Sequence, residues 1–453
     1  MKSRLRHLLL SVALLTSIAQ ARRPDFLVLV SDDHGVLDCT AYGATDVRTP
    51  YFQRLADEGL VFDRAFVASP ACAPSRAALL TGLMPARNGA EANHTYRKPG
   101  IPSLIATFRK LGYESAAFGK IAHGKDAGTH GFDHISPSIR AADVEAYLSR
   151  RTKDRPLLLM IGSHDPHVPW PENDFHYDPA KVTLPPSFVD TPETRLFRTR
   201  YYSDVSRADR DLCEARNTAM KHLDPANTLE LYTSDHGAQW PFGKWNLYDA
   251  GIRVPLIVKF PGHTKPGTRS DAMVSWIDLL PTLIDVAGGD VPDGLDGRSF
   301  ARVLDEPATA HRDRIFTTHT GDGGKNIYPI RSVRTDLFKY IRNLFPDRIH
   351  TTHIDGAKGK DGLIVYKSWI KKGRKDPAAM ARVRAYHQRP AEELYDLGAD
   401  PFELHNLAAD PKHSATLESL RKELDDWMKS QHDSGKAHRK TKPVPDKAPW
   451  LPS

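Results

Sequence analysis

Short, continuous apolar runs alternate with stretches of helical period over most of the chain. "DFLVLVSDD" (25–33) is apolar until it ends in acids. "TPYFQRLADEG" follows it, with Thr49 as N-cap, Pro50 at the first helical position and Gly59 after the last turn. "LVFDRAFVAS" precedes "PSRAALLTG", and the helical "IPSLIATFRKLG" precedes the apolar "YESAAFGK". "PLLLMIGSHDPH" (156–167), "NTLELYTSDHG" (227–237) and "VPLIVKFPG" (254–262) read as three more buried strands. "WIDLLPTLIDVAGG" reads as a helix closed by Gly288. Strands this apolar, separated by helices, predict an α/β fold: a large mixed β-sheet sandwiched by helices.

Beyond about residue 325 the pattern changes. "IYPIRSVRTDLFKYIRNL" alternates like two short antiparallel strands, "RPAEELYDLGADPFELHNLA" holds another strand and a turn, and "HSATLESLRKELDDWMKSQ" is an amphipathic helix. The expected organisation is a catalytic domain over 22–325, then a smaller C-terminal α+β domain over 326–432 with a short antiparallel sheet, then a basic, Pro-rich tail over 433–453.

The first 21 residues stand apart. Lys2, Arg4 and Arg6 precede the apolar "HLLLSVALLTSIA" and an Ala19-Gln20-Ala21 cleavage pattern, which predicts a signal peptide and an exported chain, periplasmic or secreted. The stretch is shorter than the ~20 residues of a spanning helix, so no membrane anchor is expected after cleavage. Cleavage removes three of the basic residues behind a formal net charge of +7, leaving a mild excess that does not point to nucleic acid. An exported chain with only Cys39, Cys72 and Cys213 leaves one thiol over even if two pair.

Three of the predicted strand ends carry "SDDHG", "GSHDPH" and "TSDHG", and ligands of open α/β sheets bind beyond such ends. Asp32 and Asp33 adjoin at one, Asp235 and His236 at another. Four such side chains on one rim repel each other unless a cation neutralises them, and carboxylate oxygens suit a hard ion such as Ca²⁺ or Mg²⁺. Arg76, Lys120, His123, His167 and Lys244 stand just past apolar strands or in glycine-flanked turns such as "FGKIAHG" and "FGKWN". Together they suit a tetrahedral dianion, since Arg offers a fixed fork while Lys and His also move protons. A helix starting near Ser75 adds backbone N–H groups, so the implied substrate group is a sulfate or phosphate ester. Cys72 is harder to place: as a thiol among carboxylates it is expected to have a raised pKa and to be a poor nucleophile.

Cys72, Pro74, Ser75 and Arg76, followed by "AALLTG", resemble the nucleophile signature of the type I sulfatases, which have an alkaline-phosphatase-like fold. "SDDHG", "GK…H", "HDPH", "SDHG…GKWNLYDAGIRVPL" and the "ELYDL" segment occur in that family's order across nearly the whole chain. The resemblance implies that a formylglycine-generating enzyme oxidises Cys72 to formylglycine, whose hydrate attacks sulfur and then collapses to release sulfate. It implies Asp32, Asp33, Asp235 and His236 as metal ligands, completed by converted Cys72, with Ca²⁺ favoured and Mg²⁺ the alternative. Arg76 would hold the diol, His123 would be the base, and Lys120, His167 and Lys244 would bind sulfate and protonate the leaving group. His236, where most relatives carry Asn, and "GKIAHG", with one extra residue before the histidine, are similar to the iduronate sulfatases.

The C-terminal half resembles the heparan N-sulfatases (N-sulfoglucosamine sulfohydrolases), which implies a sulfated saccharide substrate. His350, His353, His387 and Arg389, read as lying in polar loops, are the substrate-facing candidates. The alternatives are an O-sulfatase on another sulfated polysaccharide or aryl sulfate, a phosphonate or phosphodiester hydrolase of the same superfamily, and an inactive glycan-binding protein.

Overall fold

The computed structural model describes residues 22–323, 326–356 and 362–436. The expected signal peptide over 1–21 and most of the expected tail, 437–453, lie outside the described residues.

Eight strands form one sheet: β1 (Asp25–Ser31), β2 (Leu60–Phe66), β3 (Glu114–Gly119), β4 (His134–Ser136), β5 (Leu157–Gly162), β6 (Thr228–Ser234), β7 (Leu256–Lys259) and β8 (Thr268–Ser275). Their order is β4-β3-β5-β1-β6-β7-β2-β8. β1 runs parallel to β5 and β6, while β7 is antiparallel to β6 and β2, so the sheet is mixed as expected. Every residue of β1, β5 and β6 is buried. Side chains alternate across a strand, and both faces of β1 meet apolar layers: Phe26, Val28 and Val30 join one core, Leu27 and Leu29 the other. Two-sided burial is why these strands read as unbroken apolar runs rather than as alternation.

The helix Pro192–Ala219 is 28 residues long and was not evident in the sequence. Its composition is dominated by Arg, Asp and Glu. The signal was local: Thr191 accepts a hydrogen bond from the Thr194 N–H and Pro192 occupies the first turn. Leu212, Ala215 and Ala219 then reach the core under Leu27 and Leu29.

The smaller sheet comprises β9 (Ile315–His319), β10 (Ile330–Arg334), β11 (Phe338–Asn343) and β12 (Glu392–Asp396), all antiparallel in the order β12-β11-β10-β9. β9 lies before residue 325, so this sheet starts earlier in the chain than the expected boundary. The helix Ser414–Ser430 lays Leu417, Leu420 and Leu424 on Val333, Tyr340 and Leu394. Two helices the sequence pattern did not reveal, Leu363–Gly373 and Pro377–His387, sit between β11 and β12.

The described residues also run past residue 432. The Arg331 guanidinium donates to the Asp433 carboxylate through Nε and Nη2, and the two side chains are 1% and 0% exposed. Asp433 Oδ1 in turn accepts the Gly435 N–H at 2.9 Å. Cys39, Cys72 and Cys213 are all free thiols. Among the described residues no helix is long and apolar enough to cross a membrane.

Removing one partner of a buried ion pair strands the other charge, which costs about 3–5 kcal/mol. Asp433→Ala is therefore expected to lower the unfolding free energy by about 3 kcal/mol in a urea titration. A loss under about 0.5 kcal/mol, the range of ordinary surface changes, would place Asp433 outside the cooperative fold.

Candidate active site

β1 and β6 are neighbours in register, with Ser31 opposite Ser234, so Asp32–Asp33 and Asp235–His236 leave the sheet side by side. Asp33 N donates to Asp235 Oδ1 at 3.1 Å, and Asp33 itself sits in left-handed backbone at φ 68°. Two strands away, β3 ends at Gly119, also left-handed at φ +66°. A Cβ at Gly119 would fall 2.1 Å from the Gly162 carbonyl of β5. Glycine there lets Lys120 N donate to that same carbonyl at 2.8 Å and turns Lys120 over the rim. The helix Cys72–Thr81 starts at the same rim with Cys72 as its first residue. It is fixed by Ser75 Oγ donating to the Asp235 carbonyl at 2.7 Å and by Ala73 N donating to Asn93 Oδ1 at 3.0 Å.

The other nine residues expected to act as ligands or catalytic groups converge around the sulfur of Cys72. Cys72 Sγ is 3.4 Å from His236 Nε2, 3.5 Å from Lys120 Nζ and 3.7 Å from Asp32 Oδ1. Ligand atoms of Asp32, Cys72, Asp235 and His236 all lie within 4.8 Å of one another, and so do those of Asp33, Cys72 and His167. Arg76 Nε donates to Asp235 Oδ2 at 2.9 Å, its Nη2 lies 3.5 Å from Asp32 Oδ1, and its Nη1 donates to the Lys120 carbonyl. Lys244 Nζ donates to both oxygens of Asp33 at 2.9 and 2.8 Å, and Lys120 Nζ donates to Asp32 Oδ2. Each buried carboxylate thus already has a cation of its own.

The electrostatics follow from this pairing. Burial pushes Asp235 up to about 7, with Arg76 opposing and Asp32 adding to the rise. Asp32 is held below the usual carboxylate range, because Lys120, His167 and Arg76 outweigh its burial. His236 is raised to about 9: burial opposes its charge, but Asp235 and Asp33 favour it more. The expectation for Cys72 is overturned. Burial alone would raise the thiol, yet Lys120, Lys244, His236 and His123 hold it well below its ordinary value. Counting the acids nearby missed that their partner cations also face the sulfur.

Cys72 opens into a cavity of about 1020 Å³ lined also by Lys120, His123, His167, Lys244 and His353. His353 stacks on Trp245 with ring centroids 5.0 Å apart. The other three substrate-facing candidates do not line this cavity: His350 and Arg389 lie in irregular backbone as expected but are buried, and His387 is helical. His350 is fully buried against Tyr328 and Tyr386. His387 is the buried last residue of the helix Pro377–His387, and its Nδ1 lies 2.8 Å from the His350 carbonyl. Arg389 is buried and donates to Asn246 Oδ1 at 2.5 Å, bracing the loop that carries Lys244 and Trp245. The sequence reading also missed Asn93, His94 and Asp322, which line the same cavity.

A family model described as "Sulfatase" matches residues 24–143 and 136–289, and one described as "N-sulphoglucosamine sulphohydrolase, C-terminal" matches 235–353. The chain belongs to the sulfatase family. An ulvan-active sulfatase of Formosa agariphila is 31% identical over 92% of this chain and 82% of its own length. The human N-sulphoglucosamine sulphohydrolase is 28% identical over 93% of each chain. Among solved structures, one in complex with its substrate D-glucosamine-2-N,6-O-disulfate aligns at TM-score 0.68 and 19% identity, covering 91% of this chain and 99% of its own. A phosphonate monoester hydrolase of Agrobacterium radiobacter aligns at 0.70 and 19%, covering 90% and 96%. The alkaline-phosphatase-like fold expected from the motifs is therefore the one present, and this sulfatase is a sulfuric ester hydrolase.

The pairing of Lys244 with Asp33 in this sulfatase can be measured. Lys244→Met is expected to cost about 3–5 kcal/mol in urea unfolding with chelator present, and adding Asp33→Asn should recover most of that loss. Additive losses in the double variant would show that the two groups do not interact.

Proposed function

We propose that this sulfatase is an exported enzyme that hydrolyses sulfate groups of a sulfated glycan, using formylglycine made from Cys72 and a divalent cation held by Asp32, Asp33, Asp235 and His236. One observation carries the reading: the thiol at the start of the helix Cys72–Thr81 is ringed by His236, Lys120 and Asp32 within 3.7 Å, with Arg76 and Lys244 paired behind it. A thiol is a weak hydrogen-bonding group, so this many strong partners suit an oxygen-bearing residue better.

The residues present also fit a metal. Oxygen ligands at ~2.3–2.6 Å from Ca²⁺ lie within ~5 Å of each other, and the donor atoms of Asp32, Asp235, His236 and Cys72 meet that spacing. Carboxylate oxygens favour a hard ion, Ca²⁺ first and Mg²⁺ as the alternative. When bound, the cation polarises an oxygen at position 72, and formylglycine supplies that oxygen as a hydroxyl.

The chain's own groups do the rest. Arg76 holds Asp235 and Asp32 in place. Lys120 and Lys244 line the cavity beside residue 72, placed to hold the anion. His167 is raised from its ordinary value: burial and Lys244 lower it, but Asp33, Cys72 and Asp32 outweigh them. A protonated imidazole there donates a proton to the departing alcohol or amine. His123 accepts a proton beside residue 72.

For the substrate, the match to the N-sulphoglucosamine sulphohydrolase C-terminal model and the human relative support a heparan-type N-sulfoglucosamine. The relative from Formosa agariphila supports a second reading, the O-sulfate of an algal polysaccharide. Export is supported by the N-terminal pattern, and maturation then needs a formylglycine-generating enzyme.

The test is sulfate release from N-sulfoglucosamine, glucosamine 6-O-sulfate, ulvan oligosaccharides and a phosphonate ester, using protein co-produced with that enzyme. Release from a sulfated sugar, lowered at least ~10³-fold by Cys72→Ala, is the expected result. Turnover of the phosphonate ester alone would overturn the sulfated-sugar reading. Independently, Ca²⁺ at a hundred times its Kd should stabilise the fold by ~2.7 kcal/mol. A thermal melt should show that gain in the parent and lose it in Asp235→Asn.

A further inference from the structure

We infer that the exposed face of the helix Leu363–Gly373 is a docking track for an anionic polysaccharide, holding the part of a sulfated glycan chain that extends out of the cavity. The identity of the glycan rests on the function proposed above; the track rests on charge and on where this helix begins.

Within the helix, Val365, Tyr366, Trp369 and Ile370 are buried, and they fix which way it faces. Trp369 Nε1 donates to Thr194 Oγ1 at 2.9 Å, and Ser368 Oγ is hydrogen-bonded to Thr191 Oγ1 at 2.7 Å, so the inner side is seated on the helix Pro192–Ala219. Positions i, i+3, i+7 and i+10 share one side of an α-helix. Here they are Ile364, Lys367, Lys371 and Arg374, and all four are exposed. Ile364 lines the cavity that holds Cys72. At ~1.5 Å of rise per residue, the stripe runs ~15 Å from that wall to Arg374. Lys372 marks the far end: its Nζ donates at 3.0 Å to the carbonyl of Asp190, just before the helix Pro192–Ala219, whereas Phe197 and Arg200, further along that helix, line the cavity.

The charge on this face is one-sided. Residues 363–389 hold eight Lys and Arg and a single acid, Asp376. Lys372 lies 3.8 Å from Asp376, and among the described residues Lys367, Lys371 and Arg374 form no ion pair. The end of a helix favours cations, which accounts for Lys371 and Lys372 in the last turn but not for Lys367 before it. Lys367 and Lys371 stand four apart, where like charges destabilise a helix. The helix Ser414–Ser430 shows the ordinary surface instead, with acids among its bases and Lys422 Nζ 2.6 Å from Asp426. An anionic chain laid along the stripe supplies the missing counter-charges, and contacts that are weak singly add up because one chain links them. The carboxylates closest to the route are already paired, Glu172 with Arg200 and Asp190 with Arg195. A membrane fits less well, since helices that lie on lipid expose an apolar face beside the basic one. Here the apolar face is buried in the protein.

The test is fluorescence anisotropy of the full chain with Cys72 unconverted, titrated into fluorescein-labelled heparin disaccharide and dodecasaccharide. The dodecasaccharide should bind at least ~10-fold more tightly than the disaccharide, and added salt should erase the difference. Replacing the three exposed cations, Lys367→Gln/Lys371→Gln/Arg374→Gln, should erase it too. Arg150→Gln/Lys153→Gln/Lys221→Gln, which removes as much exposed charge near the starts of β5 and β6, should keep it. A parent that binds both lengths equally would overturn the track, as would an equal loss in the two triple variants, which would reduce the effect to net charge. Phosphatidylserine vesicles that bind through the same three residues, with no dependence on glycan length, would assign the face to a membrane and overturn it as well. None of these readouts involves catalysis. A converted parent that releases sulfate from no sugar would contradict the proposed function, and the length dependence would still decide the track.

Discussion

Three carboxylates buried on one sheet rim, Asp32, Asp33 and Asp235, set the terms for the rest of this structure. Removing that many negative charges from water is prohibitive unless cations accompany them. Lys120, Lys244 and Arg76 do so one to one, and each arrives from a different element: the end of β3, the 238–250 loop and the helix Cys72–Thr81. The site is therefore a convergence of several chain segments whose charges cancel locally. A divalent cation would add to an arrangement that is already compact, and the cations already in place would be free to turn toward an anionic substrate.

That cancellation also explains the scarce thiol. Cys72 lies at the start of a buried helix, where backbone N–H groups and three cationic side chains all favour negative charge. The environment is built for an anion or a polarised oxygen at position 72. The second sheet contributes indirectly: Arg389 braces Asn246 beside Lys244, and Asp322 reaches both Trp245 and Asn93. The C-terminal part thus completes the cavity wall and steadies the loop that neutralises Asp33.

The fold was legible wherever burial is two-sided. β1, β5 and β6 are continuous apolar runs because both faces are covered, and the acids stand out because they follow such runs directly. The helix Pro192–Ala219 was not legible, since its exposed face fills its sequence with charges and hides the few apolar contacts. His94 and Asp322 were invisible for another reason: they lie in irregular segments far apart in the chain that meet through a backbone bridge between Asn93 and Asp322 and the Asn93–Asp322 side-chain hydrogen bond. No periodicity marks a pair that far apart. His350 and His387 show the converse: histidines read as facing the substrate are buried away from the cavity, whereas His353 lines it. His350 and His387 are neutral, buried groups held far from the charged state by desolvation.

The central claim is that residue 72 works as an oxygen nucleophile rather than as a thiol. The most direct measurement is the mass of the peptide containing residue 72, from protein made with and without a formylglycine-generating enzyme, set against sulfate release by the same preparations. The account predicts an aldehyde at position 72 only in the first preparation, with activity in proportion to its fraction. Equal sulfate release from protein whose residue 72 remains entirely a thiol would contradict it.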